Sequence, residues 1–148
     1  MKLLFAGGAD ISVPSLRKLS GEYPVAAVLT HPDTRAGRGK KKSRNPVKAE
    51  ALSLGIPVIE AENVDEAVGR ETARYKADLL VVVAYGKLFP KSFLSLFPEG
   101  GVNLHPSLLP KYRGPSPAAA AVLNGDEYTG ITVQRIANKM DTGDILLQ

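Results

Sequence analysis

Residues 79–85 read LLVVVAY, seven residues with no charge and no alternation of polarity. A run this short and this rich in valine suits a strand covered on both faces. That is the condition of an inner strand of a parallel sheet. The rest of the chain must supply helices for both faces of such a sheet, and its pattern does. Residues 2–6 form an apolar strand that runs into Gly7-Gly8, and PVAAVLT (24–30) is a second continuous apolar strand. Apolar residues at helical spacing (Val13, Leu16, Leu19) come after the first, with Ser12 as the expected N-cap.

Residues 31–45 are polar, glycine-bearing and basic, and read as a loop. Asn45 then caps a helix opened by Pro46 and closed by Gly55, with Val47, Ala51 and Leu54 on one face. A small strand is expected over 57–59 and a polar amphipathic helix over 64–75, capped by Asn63. After the central strand (78–85) come a short helix over 90–96 and a strand over 101–105. An alanine-rich helix within 114–124 is closed by Gly125, and two more strands are expected over 129–136 and 144–148. Strand and helix in alternation predict an α/β, Rossmann-like fold: an open, mostly parallel sheet with helices on both faces. We expect one domain over 1–148. The final strand ends at Gln148 without cap or turn, so the domain is expected to be incomplete at its C-terminus.

Composition narrows the chemistry. The chain has no cysteine, which excludes disulfides, thiolate metal sites and a cysteine nucleophile. With two histidines and no H-E-x-x-H, a dedicated metal site is not expected. No apolar run reaches the ~20 residues that cross a bilayer, and the N-terminus is too short for a signal peptide. A cytoplasmic monomer away from membranes is the expectation. The net charge of +4 comes from one place. Seven basic residues (Arg35, Arg38, Lys40, Lys41, Lys42, Arg44 and Lys48) fall between 34 and 48 with no acid among them. Outside that window twelve basic residues face fifteen acidic ones. A body with one basic arm suits a polyanionic partner, and any nucleic acid fits on charge alone.

Three further segments could carry chemistry. Ala6-Gly7-Gly8-Ala9-Asp10 could cradle a phosphate, but it lacks the GxGxxG spacing and reads better as a tight turn. In Asn103-Leu104-His105-Pro106-Ser107-Leu108-Leu109-Pro110, Asn103 and His105 share one face at the end of a strand. Open α/β sheets bind ligands there, and the two prolines stiffen the loop beyond the strand. Asn138-Lys139-Met140-Asp141-Thr142-Gly143-Asp144 is an ordinary turn by composition, unless Asp141 folds back towards His105. A carboxylate there would orient the ring.

Residues 103–146 (NLHPSLLPKYRGPSPAAAAVLNGDEYTGITVQRIANKMDTGDIL) resemble the signature of the folate-dependent formyltransferases almost without a break. The resemblance implies the formyltransferase fold and a catalytic set of Asn103, His105 and Asp141. It implies that Ser107, Leu108, Leu109, Pro110, Tyr85 and Gly86 hold the folate. The reaction implied moves a formyl group from 10-formyltetrahydrofolate to an amine, without a metal. THPDTRAGRGKKKSRNPVK (30–48) and LLVVVAYGKLFPK (79–91) resemble the basic loop and central strand of members acting in translation initiation. Those members formylate the α-amine of methionyl initiator tRNA, which makes Arg35, Arg38, Lys40, Lys41 and Lys42 the expected tRNA contacts. The C-terminal barrel domain of such members is expected to be absent from this chain. Two alternatives stay open: a formyltransferase for a sugar nucleotide or other small amine, and a non-catalytic RNA-binding fragment.

Overall fold

A computed structural model of the chain describes residues 1–35, 42–43 and 45–148. The described residues form nine strands: β1 (Leu3–Gly7), β2 (Val25–Thr30), β3 (Thr34–Arg35), β4 (Lys42–Ser43), β5 (Val58–Glu60), β6 (Leu79–Val83), β7 (Gly101–His105), β8 (Thr132–Arg135) and β9 (Ile145–Leu147). The helices are α1 (Val13–Glu22), α2 (Pro46–Ser53), α3 (Glu66–Ala73), α4 (Lys91–Leu94) and α5 (Pro117–Leu123). None of the described helices is long and apolar enough to cross a membrane.

Seven strands form one open sheet in the order β5-β2-β1-β6-β7-β8-β9. The first five are parallel, and β8 and β9 are antiparallel additions. β6 has β1 on one side and β7 on the other, as its unbroken apolar run requires. Alternate residues of the inner strands feed two cores. Leu4, Ala6, Leu29, Leu80 and Val82 pack with Val68 of α3 and Phe93 of α4 on one face. Phe5, Val28 and Val83 pack with Leu16 of α1 and Val47 and Ala51 of α2 on the other. Each large apolar side chain so buried stabilises the fold by roughly 1.5–3 kcal/mol.

The sheet order reverses between β1 and β6, and hydroxyls tie the strand ends together at that point. Ser12 stands at the expected N-cap position of α1 but makes no side-chain capping bond. Its side chain is fully buried and donates to the Val83 carbonyl at 2.7 Å, while a short 3-10 turn (Asp10–Ser12) leads into α1. Thr30 donates to the Gly7 carbonyl at 2.6 Å. Gly7, the last residue of β1, and Gly8 beyond it are there for close packing. A Cβ on Gly7 would meet Ser12 Cβ at 2.8 Å, and one on Gly8 would meet His31 Cδ2 at 2.7 Å.

Three more expectations need correction. Asp65, not Asn63, caps α3, because its carboxylate reaches the Val68 N–H at 3.0 Å. Leu54 ends α2 39% exposed instead of joining its buried face. The segment 31–45 is not loop throughout, since Thr34–Arg35 and Lys42–Ser43 pair antiparallel.

Asn45 is the expected cap of α2, and it does more than cap. Its Oδ1 accepts from the Val47 and Lys48 N–H groups at 2.9 and 3.2 Å. Its Nδ2 donates to Thr30 Oγ1 and the His31 carbonyl, and its own N–H donates to Asp33 Oδ1. Asn45→Ala should cost more than a simple cap, about 2 kcal/mol, because it also strands buried partners. Urea unfolding checks this. The midpoint should fall, and an unchanged midpoint would mean that the side chain holds neither the helix nor the loop in place.

Candidate active site

A cleft of about 680 Å³ opens at the reversal point, between the ends of β1, β6 and β7. Its wall near β6 includes Ala84, Tyr85, Gly86 and Phe89, and its far end gathers Asn103, His105, Gln134 and Asp141. That volume suits a small organic ligand, and a largely apolar wall with a few convergent polar groups is the usual make-up of such sites.

The polar end is built by three segments. β7 places Asn103 and His105 on one face of the sheet. β8 runs antiparallel beside it and sets Gln134 directly opposite Asn103. The chain then leaves β8 and folds back over the sheet to bring in Asp141. That return needs Gly143, where a Cβ would run into the Arg135 carbonyl oxygen.

Asp141 lies at the centre of the contacts. Its Oδ1 accepts from Gln134 Nε2 at 2.9 Å and from Asn103 Nδ2 at 3.4 Å. Its Oδ2 accepts from the Gly114 N–H at 2.8 Å and faces His105 Nδ1 at 3.5 Å. The His105 and Asp141 side chains are only 6% and 7% exposed. The other ring nitrogen, His105 Nε2, lies 2.9 Å from the Tyr112 carbonyl. A carbonyl can only accept, so in this contact Nε2 carries the hydrogen.

Strain gathers at the same place. Five described non-glycine residues have positive φ, namely Lys76, Ala84, Tyr112, Ser116 and Asp141. Ala84, Ser116 and Asp141 line the cleft, and Tyr112 supplies the carbonyl that His105 meets. Left-handed backbone costs an L-residue roughly 1–2 kcal/mol. Such residues persist where the surroundings over-determine them, commonly at functional sites.

Tyr85 forms the other wall. Its ring stacks on His31 at 4.5 Å and on Phe89 at 5.3 Å, and the column continues through Phe93 and Phe97. His31 Nε2 meets the Tyr85 carbonyl at 2.6 Å. Burial pushes the Tyr85 phenol up to about 12, so it is neutral at physiological pH.

The structure thus brings Asn103, His105 and Asp141 together and sets Tyr85 and Gly86 in the same cleft. Ser107, Leu108, Leu109 and Pro110 are not among the described residues lining it. The Ser107 hydroxyl donates to the Lys111 carbonyl, and the Leu109 N–H donates to Thr132 Oγ1. Leu108 packs against Gly130. Of the basic set, Arg38, Lys40 and Lys41 lie outside the described residues. Arg35 and Lys42 belong to β3 and β4, where their backbones pair. Among the described residues, no group of three or more His, Asp or Glu could hold a metal ion. Sequence reasoning passes over Gln134, the Gly114 N–H and the Tyr112 carbonyl. Gln134 gives one signal, a polar residue on an interior strand in step with Thr132. The two backbone groups give none.

The open sheet with this reversal and a polar pocket at its strand ends is that of a doubly wound α/β protein; the formyl transferase family model matches residues 6–148, and the chain belongs to that family. Among curated proteins it is 47% identical to the methionyl-tRNA formyltransferase of Borrelia turicatae over 148 residues, all of this chain and 48% of that one. It is 42% identical to the methionyl-tRNA formyltransferase of Treponema denticola, again over all of this chain and 48% of that one. The chain therefore spans about half the length of the curated relatives it matches. Among solved structures, phosphoribosylglycinamide formyltransferase from Bacillus halodurans superposes with a TM-score of 0.80 at 21% identity, covering 99% of this chain and 77% of that one. A formyltetrahydrofolate deformylase from Pseudomonas syringae gives 0.74 at 21%, covering 99% and 49%. At those identities the likeness is one of fold.

Proposed function

We propose that this chain carries the chemistry of a methionyl-tRNA formyltransferase. It moves a formyl group from 10-formyltetrahydrofolate to the α-amine of methionyl initiator tRNA, in the cytoplasm. One observation carries the reading: Asp141 lies against both Asn103 and His105 at the polar end of the cleft. The names of the relatives at 42–47% identity support the acceptor.

The size and lining of the cleft support a folate as its ligand. The cleft is mostly apolar, with Tyr85 and Gly86 along one wall and the polar end to receive the reacting carbon. When bound, 10-formyltetrahydrofolate supplies the activated carbon. The chain's own residues do the rest. Asn103 Nδ2 and one His105 ring N–H, turned from the Asp141 carboxylate or the Tyr112 carbonyl that it meets here, donate to the formyl oxygen as it gains negative charge, each donor worth roughly 3 kcal/mol in such a site. Asp141 orients the ring, takes the proton that the attacking amine loses and hands it to N10 as the carbon–N10 bond breaks and tetrahydrofolate leaves. The turn at Ser107–Pro110 supports the cleft from behind, through Thr132 and the chain to Tyr112. The basic residues Arg35, Arg38, Lys40, Lys41 and Lys42 neutralise tRNA phosphates.

Titration with a folate analogue, together with transfer assays on charged initiator tRNA and on small amines, tests the reading. Saturable folate binding and formylated methionyl-tRNA are expected. Binding of RNA with no saturable folate site would overturn it, and transfer to small amines alone would replace the acceptor. Arg38→Ala with Lys40→Ala should raise KM for tRNA and flatten its salt dependence, by about one unit of log–log slope per lost contact. An unchanged slope would remove the loop from tRNA recognition.

A further inference from the structure

We propose that Gln134 is a positioning residue for Asp141, holding the carboxylate in place when Asn103 turns to the substrate. The inference rests on the formyl-transfer reading and adds a residue to it. Gln134 is 2% exposed and sits across the β7–β8 pair from Asn103, so the two side chains share a face. Both reach Asp141 Oδ1, but unequally: Gln134 Nε2 at 2.9 Å and Asn103 Nδ2 at 3.4 Å. If Asn103 gives its N–H to the formyl oxygen, Gln134 is left as the side-chain donor to that carboxylate oxygen.

The other end of the same amide carries the argument further. A carboxylate only accepts, so the NH2 must face Asp141 and the amide cannot be turned over. Gln134 Oε1 is thereby fixed in a buried position with no hydrogen-bond partner among the described residues. A buried acceptor left unmade is destabilising, and an apolar side chain of the same size would avoid the cost. Stability alone gives no reason for glutamine at this position. The bond to Asp141 does.

The test uses Gln134→Met and Gln134→Glu in the native-length protein, with Asp141→Asn alongside. Gln134→Met keeps the shape and removes both the donor and the unmade acceptor. Its thermal midpoint should hold or rise and KM for the folate should stay within about twofold, while kcat falls at least about tenfold. Gln134→Glu sets a second carboxylate against Asp141. Two such groups cannot both ionise, so the acid limb of the kcat–pH profile should move to higher pH.

A Gln134→Met protein that keeps kcat within about threefold of the parent, with Asp141→Asn inactive, would overturn this inference and leave the function standing. If the parent itself transfers no formyl group, the functional reading fails. Crystals of Gln134→Met then decide the positioning role alone. A displaced Asp141 carboxylate supports it, and one still bonded to the Gly114 N–H and facing His105 overturns it.

Discussion

If the proposed function holds, Asp141→Asn is expected to cut formyl transfer at least about a thousandfold and to leave the sheet standing. The substitution keeps the size of the side chain but removes its charge and its ability to take a proton. It also turns one acceptor into a donor. Asp141 receives Gln134 Nε2 and Asn103 Nδ2 on one oxygen and the Gly114 N–H on the other. An asparagine must point its NH2 at one of those donors, so the loop that carries it loses a contact as well. General-base assistance is worth about 10²–10⁴ in rate, so a fall of at least ~10³ is expected once the misplaced His105 is included. Thermal unfolding should shift little, because the cores on both faces of the sheet are untouched. Transfer rate and unfolding midpoint are measured together. A variant that retained more than about a tenth of the rate would have lost under ~1.4 kcal/mol, too little for a general base.

His105→Ala is expected to lower kcat by about 10²–10³, the usual loss when one oxyanion donor is removed. The ring is 5% exposed and both its nitrogens face oxygen atoms, so its position is set before any ligand arrives. Truncation leaves the Tyr112 carbonyl without its donor and opens a small void, which costs stability as well as rate. His105→Asn separates the two effects: it restores one donor and should recover part of kcat. Affinity for a folate analogue should change by no more than a few fold in either variant, since the Tyr85 wall is intact. A large loss of affinity with kcat preserved would make His105 a binding group instead.

The sheet is readable from the sequence because its signals are local. The run 79–85 and the strand ending at His105 announce buried parallel strands, and Asn45-Pro46 announces a helix. Caps are less certain where two candidates stand close together, as with Asn63 and Asp65. Ser12 has the right chemistry for a cap, but its hydroxyl is claimed by Val83 from another strand. Asn103 and His105 can be paired by strand periodicity alone. Asp141 can be joined to them only by resemblance, because the fold-back that brings it there depends on a glycine whose close contact is invisible in one dimension. Gln134 escapes for a related reason. Alternation on β8 would ordinarily turn Ile131 and Val133 inwards, yet Thr132 and Gln134 are the buried residues and Ile131 is 51% exposed. They are buried against hydrogen-bonding partners, Leu109 and Ser107 for Thr132 and Asp141 for Gln134. A hydrophobicity pattern has no means of recording that.

The root of the basic arm is fastened separately from the polar end of the cleft. Asn45, Asp33 and Lys48 close the base of that arm with bonds to Thr30, His31 and Glu60, all on the side of the sheet. None of these bonds touches Asn103, His105 or Asp141. Loosening the root by substitution is therefore expected to disturb the start of α2 while the carboxylate, ring and amide keep their places.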